Sequence, residues 1–200
     1  MGINRLPLQD DVGSSSYRSK KDPEPLNLQK FLDRIPPHDP RAEAFVLGSM
    51  MCESKAASIA VELLEPNDFY VGHHIKLFLE LKKLFGRIEN LDELIVRNEL
   101  KRSGKLEECG GSDELARLVQ DTNSPANIEG YCKVVREHAV QRELILAAAK
   151  IVKMVDTPGG RNEQDLVGEA EQLVYQISDS RKTEDAVAMS DILTGIGNEA

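Results

Sequence analysis

The sequence predicts an all-α fold: a six-helix globular domain, an antiparallel helical hairpin, and a linker with a short linker helix. Three observations carry this. Capped segments recur whose apolar residues repeat every three or four positions, and no stretch alternates as a strand would. The core must rest on Leu, Ile, Val, Ala and Met, because the 200 residues include only five Phe, four Tyr and no Trp. Finally, no proline falls between Pro125 and Pro158. A helix over 125–155 would be a rod of about 45 Å at 1.5 Å per residue. A small globule is about that wide, so part of the rod should project and bury its apolar stripe elsewhere.

Residues 1–35 read as a flexible tail. Ser14, Ser15 and Ser16, the Lys20–Lys21 pair, Pro23 and Pro25 give it little to bury. The LNLQKFL run at 26–32 is a candidate for a helix formed on contact with a partner. Pro36–Pro37 closes the tail with an extended pair. The globule is expected over 36–140. Asp39 caps a helix opened by Pro40 and running to about Cys52, with Ala42 or Phe45, then Val46, Leu47, Met50 and Met51 inward. Ser54 is read as the cap of a second helix, to about Leu64. Glu65-Pro66-Asn67-Asp68 is a turn, and Phe69-Tyr70 is expected to plug the core. A third helix over 71–85 presents Ile75, Phe78, Leu79, Leu81, Leu84 and Phe85, and Gly86 stops it. Asp92 caps 93–103, ended by Gly104. Gly110-Gly111 and Ser112 precede a short helix over 113–121. Ser124 and Pro125 then open the long helix, which the globule shares with the hairpin.

The hairpin is expected over 141–181. The chain breaks at Thr157-Pro158-Gly159-Gly160, and Asn162 caps a helix to about Arg181. Leu166, Ala170, Leu173 and Ile177 form one stripe. Ile145, Ala148, Val152 and Val155 form the stripe expected to face it. Leu144, Ile151, Val167 and Val174 lie beside them, so the apolar surface is wider than one partner helix needs. All twelve are candidate interface residues, and the hairpin is expected to pack on a second hairpin, giving a dimer. Residues 182–200 are read as a linker. Ser190 there caps the start of a linker helix with Ile192 and Leu193.

The net charge is −9, and residues 36–200 hold 19 basic against 29 acidic residues. A body that acidic repels phosphate, which argues against tight, sequence-independent binding of nucleic acid by this chain alone. Cys52, Cys109 and Cys132 are odd in number and form no C-x-x-C pair, so neither a disulfide framework nor a zinc–thiolate site is suggested. Reduced thiols in a cytoplasmic protein are the simple account. There is no signal-peptide core at the N-terminus and no apolar run long enough to span a bilayer.

Four motifs, in order, resemble the N-terminal region of bacterial replicative DNA helicases of the DnaB family. They are PPHDPRAEAFVLGSMM at 36–51, PNDFYVGHHIKLFLELKKL at 66–84, LKRSGKLEECGG at 100–111, and SPANIEGYCKVVREHAVQREL at 124–144. The last is the closest, through Asn127, Ile128, Tyr131, Val135, Arg136, Glu137 and Arg142. The resemblance covers about 36–200. It implies a six-helix globule with a hairpin, domains paired through their hairpins, and three pairs forming the collar of a hexamer. The implied partners are further copies of the chain (dimer, trimer of dimers or hexamer), primase and a helicase loader. DNA would be met only through the assembled full-length ring, with no membrane role. The implied linker helix docks on a neighbouring motor domain.

That motor, a RecA-like ATPase using ATP and Mg²⁺, is not expected in these residues. No G-x-x-x-x-G-K-[ST] occurs, and Gly104-Lys105 is followed by Leu106. No catalytic residue, cofactor or metal is therefore expected in this chain. The sequence reads as a piece of a longer, ATP-dependent helicase. The alternative is a stand-alone helical regulator that binds a helicase ring.

His73 and His74 are adjacent on a helix and point about 100° apart, so they are expected to be structural rather than joint metal ligands. Arg142 is expected to anchor helix packing through hydrogen bonds. Glu43 is expected to pair with an arginine, and Phe45 and Tyr131 to sit in the core.

Overall fold

The structure is a computed structural model that describes residues 35–178, apart from 89 and 123. Residues 1–34, the expected end of the second hairpin helix near Arg181, and the expected linker helix with Ile192 and Leu193 lie outside the described residues. Every regular element among the described residues is helical. These are α1 (Pro40–Cys52), α2 (Ser54–Leu63), α3 (Gly72–Phe85), α4 (Glu93–Arg102), α5 (Gly111–Asp121), α6 (Ile128–Asp156) and α7 (163–178), with single 3₁₀ turns at Pro66–Asp68, Glu107–Cys109 and Pro125–Asn127.

α1 is the central post. Asp39 accepts from the amides of Arg41 and Ala42, and Pro40 takes a position where the missing N–H costs nothing. The helix is buried nearly all round, because α2, α3, α4, α5 and α6 all pack on it. Small residues make this crowding possible. A Cβ on Gly48 would lie 2.2 Å from both the Leu118 carbonyl oxygen and Thr122 Oγ1. Thr122 Oγ1 donates to that same carbonyl at 2.8 Å, so the obstruction is a fixed turn of α5. Gly48→Ala must therefore push α5 off α1, at a cost of about 3 kcal/mol from overpacking. Thermal melting of the variant should show a clearly lowered Tm.

Details of the helix ends differ from the sequence expectation. Ser54 opens α2 from inside, and Glu53 holds the cap position without a side-chain bond. Gly110 and Gly111 adopt φ of +101° and +80°, so α5 begins at Gly111, ahead of Ser112. In α3 the inward side chains are His74, Leu77, Phe78, Leu81 and Leu84, while Leu79 is exposed. Of the Phe69-Tyr70 pair only Phe69 plugs the core, its ring 4.7 Å from that of Phe78. Tyr70 lies outside, stacked by His38 at 4.2 Å. Phe45 and Tyr131 stack on each other at 3.9 Å, both half-buried.

The first half of α6 closes the globule with Ile128, Cys132, Val135 and Ala139, spaced at i, i+4, i+7 and i+11. Two arginines fix its rotation. Arg136 pairs with Asp68 at 2.5 Å. Arg142 donates to the carbonyls of Pro37 (2.8 Å) and Asp68 (2.6 Å) and lies over the Tyr70 ring. These fixed polar contacts set how the projecting half of the rod is aimed.

Candidate interaction surface

The projecting half of α6 and the whole of α7 form a helical hairpin. Its turn is local chemistry. Thr157 Oγ1 donates to the Lys153 carbonyl, Gly159 and Gly160 supply φ of +57° and +85°, and the Arg161 amide returns to the Pro158 carbonyl. Asn162 and Asp165 then cap α7 reciprocally. The Asp165 amide donates to Asn162 Oδ1 at 2.9 Å, and the Asn162 amide to Asp165 Oδ2 at 3.2 Å.

On α7 the half-buried apolar residues are Leu166, Ala170, Leu173 and Ile177, one line along the helix. On α6 the line turned toward them is Ala147, Ile151 and Met154. Ala147 and Met154 line clefts shared with Leu173, and Ile151 is half-buried between them in register. This corrects the expected pairing, in which Ile145, Ala148, Val152 and Val155 faced α7. Two apolar stripes run side by side on this half of α6. Helical periodicity does not tell which meets the second helix; the rotation set by Arg136 and Arg142 and the tight turn decide it.

The displaced stripe is left facing outward. Leu144, Val152 and Val155 on α6 and Val167 and Val174 on α7 are between 41 and 64 % exposed, and Ala148 is exposed with them. Ile145 is half-buried at the edge of the stripe. At 100° per residue, Leu144, Ala148, Val152 and Val155 lie about 60–140° from the α7-facing line, and Val167 and Val174 about 70–90° from the α6-facing line, in the same rotational sense. In an antiparallel pair, equal rotation in the same sense brings both sets to one side of the hairpin. The result is a single apolar face made by both helices. The opposite flank is mixed, with Lys150, Lys153 and Gln176 about a cleft of about 520 Å³, and an exposed Leu146.

Catalytic chemistry finds no footing among the thiols. Cys109 and Cys132 are buried, and burial pushes their thiols up to about 11 and about 12. Cys52 is at the surface, with its thiol also raised by partial burial. Maleimide labelling of the folded chain at neutral pH should modify Cys52 alone, with the other two reacting only after unfolding; intact-mass spectrometry reads the count.

The charged residues singled out in the sequence have structural partners. Arg142 forms the hydrogen-bonded anchor already described. Among the described residues Glu43 pairs with no arginine. Its carboxylate is 1 % exposed and accepts from the amides of Tyr70 (2.7 Å) and Val71 (3.2 Å) and from His74 Nδ1 (2.9 Å). It therefore caps the start of α3 from a neighbouring helix. The sequence pointed to a paired Glu43 but not to these partners, which lie 27, 28 and 31 positions away on another element.

The globule matches the family model of the DnaB-like helicase N-terminal domain over residues 35–137. The chain belongs to that family. Among curated relatives of this DnaB-like domain, the replicative DNA helicase DnaC of Bacillus subtilis (strain 168) is 34 % identical over 161 residues, covering 80 % of this chain and 35 % of the relative. The replicative DNA helicase DnaB of Rhodothermus marinus is 30 % identical over 166 residues, or 83 % of this chain and 17 % of the relative. The chain thus spans about a third or less of the curated relatives it matches. The crystal structure of the N-terminal domain of DnaB helicase from Mycobacterium tuberculosis superposes with a TM-score of 0.66 at 32 % identity, covering 71 % of this chain and 99 % of that one. A DnaB-like replicative helicase, solved in a study of its interactions with primase, shares the fold with a TM-score of 0.57 at 23 % identity, over 81 % of this chain and 36 % of that one. The family match ends at residue 137, ahead of the hairpin face, so that face rests on its own geometry.

Proposed function

We propose that this DnaB-like domain is the scaffold and interaction module of a replicative DNA helicase, and that it self-associates through the apolar hairpin face. The observation that carries this is the face itself: six apolar side chains from two helices, gathered on one side of a projecting arm. Such a surface is costly to leave in water and is self-complementary about a twofold axis, because the two arms can cross with like faces together. Paired hairpins would be the building blocks of a ring collar. The collar would present the globules to primase and to a helicase loader. DNA unwinding and ATP hydrolysis belong in this reading to a motor domain beyond these residues, and the acidic globule meets DNA only through the assembled ring.

Sedimentation velocity over a rising concentration series tests the reading. A boundary moving from monomer toward dimer and larger even-numbered species supports it. A boundary that stays monomeric up to several hundred micromolar overturns it. Titration of the associated form with the helicase-binding domain of primase tests the partner separately: binding that tracks the associated species supports a collar surface, and no binding to it removes primase from the account.

A further inference from the structure

A second cluster lies on the globule, away from the hairpin face. His73 and His74 occupy the first turn of α3, and Glu114 lies in the first turn of α5. Their donor atoms converge. Glu114 Oε1 is 3.4 Å from His73 Nε2 and 3.6 Å from His74 Nε2, and the three donor atoms all lie within 4.8 Å of one another. The sequence expectation that the two histidines point apart holds for their Cβ directions, but the imidazoles are long enough to bring both Nε2 atoms to one carboxylate. The cluster opens on a cleft of about 570 Å³ that also holds Arg117, Asp121 and Arg41.

The surroundings of His74 single this cluster out. It is 2 % exposed, and its Nδ1 lies 2.9 Å from Glu43 Oε2. A carboxylate oxygen accepts, so His74 Nδ1 is the donor toward Glu43, and Nε2 is the ring atom left for a second partner. That Nε2 is buried, has no hydrogen-bond partner among the described residues, and lies 3.6 Å from Glu114 Oε1. A second partner is open to that nitrogen, and the convergence of a third donor, His73 Nε2, on the same oxygen favours a metal ion over a lone proton. A carboxylate that orients a histidine through the far ring nitrogen is also the usual support behind a metal-ligating histidine. Glu114 and His73 both pack closely on the turn before α5: a Cβ on Gly110 would sit 2.8 Å from Glu114 Cγ and 3.2 Å from His73 Cδ2.

We propose that His73, His74 and Glu114 form a binding site for a zinc-class divalent ion, clasping the start of α3 to the start of α5. Two imidazole nitrogens and one carboxylate oxygen suit zinc, with solvent from the cleft completing a tetrahedron. Donors about 2.1 Å from a tetrahedral ion are about 3.4 Å apart, so the two spacings to Glu114 are already near that geometry. Arg117 is the competitor. It forks onto Glu114 at 2.5 and 2.9 Å and holds that carboxyl below its ordinary range. It is itself half-exposed and already reaches Asp121 at 3.2 Å, so it can yield Oε1 to the ion.

The test uses the full chain, stripped with chelator, in a His38→Ala/His138→Ala/Cys52→Ser background that removes other surface ligands. Titration with Zn²⁺ against a chromophoric chelator should give one ion per chain, and Co²⁺ should give the visible absorption of a tetrahedral site. At a hundredfold excess over Kd, zinc should raise the Tm by about 5–10 °C, reversibly with chelator. His73→Ala and Glu114→Gln should each weaken binding at least tenfold while the metal-free protein melts normally. His73 is half-exposed, so its loss does not threaten folding. Absence of stoichiometric binding, or binding that His73→Ala leaves unchanged, overturns the site.

Discussion

Glu43→Ala is expected to lower the Tm by about 10 °C or more, and to leave the globule partly unfolded near body temperature. The side chain is buried and holds three donors: the amides of Tyr70 and Val71, and His74 Nδ1. Its removal strands all three away from water. Breaking a buried, hydrogen-bonded charged partnership by deleting one side costs about 3–5 kcal/mol. That is a large part of the 5–15 kcal/mol typical of a whole domain. For a chain of this size each kcal/mol moves the Tm by about 2–4 °C. Glu43→Gln should be milder, because the amide oxygen still accepts from a backbone N–H. Arg102→Ala is the control. Arg102 bonds Glu99 at 2.7 Å on the open surface of α4, and its loss should leave the melt where it was. Thermal unfolding followed by circular dichroism separates the three, and equal effects for Glu43→Ala and Arg102→Ala would contradict the hub.

Val152→Asp/Val155→Asp should abolish self-association while leaving the globule intact. Both valines are exposed in the single chain, so the aspartates cost the monomer little. Across a paired hairpin face they would be desolvated without partners. Several kcal/mol of lost association is about a thousandfold or more in Kd. Leu173→Asp behaves differently. Leu173 is half-buried against α6, so a charge there opens the hairpin itself and removes association indirectly. Light scattering after size exclusion gives the mass of each variant. Hydrogen exchange then tells a monomer with a closed hairpin (Val152→Asp/Val155→Asp) from one with an open hairpin (Leu173→Asp).

Much of the fold was legible because it is written locally. Asp39-Pro40, Asp92, Ser124-Pro125 and the Gly159-Gly160 break act through bonds to residues two to four positions away, so spacing alone locates them. The long helix is equally local, since nothing in 128–156 interrupts it. What stayed hidden depends on residues distant in sequence. Glu43 meets His74 across 31 positions, Arg136 meets Asp68 across 68, and Arg142 meets Pro37 across 105. Periodicity has no access to such pairs. The same limit explains the stripe on α6: both candidate faces are apolar, and only its anchoring to the globule shows which one α7 covers. The convergence of His73 with His74 was hidden for another reason. Cβ directions separate neighbours on a helix, and the third member, Glu114, comes from a different helix.

Self-association through one side of the hairpin should leave a footprint on that side alone. Hydroxyl-radical footprinting, read by mass spectrometry above and below the association concentration, measures that most directly. Oxidation of Leu144, Val152, Val155, Val167 and Val174 should slow as the chain associates. Leu146 on the opposite flank and Leu94 on the globule, both more than half exposed, should keep their rates. Protection of Leu146 with Val152 and Val155 unchanged, or no change at any hairpin residue in the associated species, would contradict it.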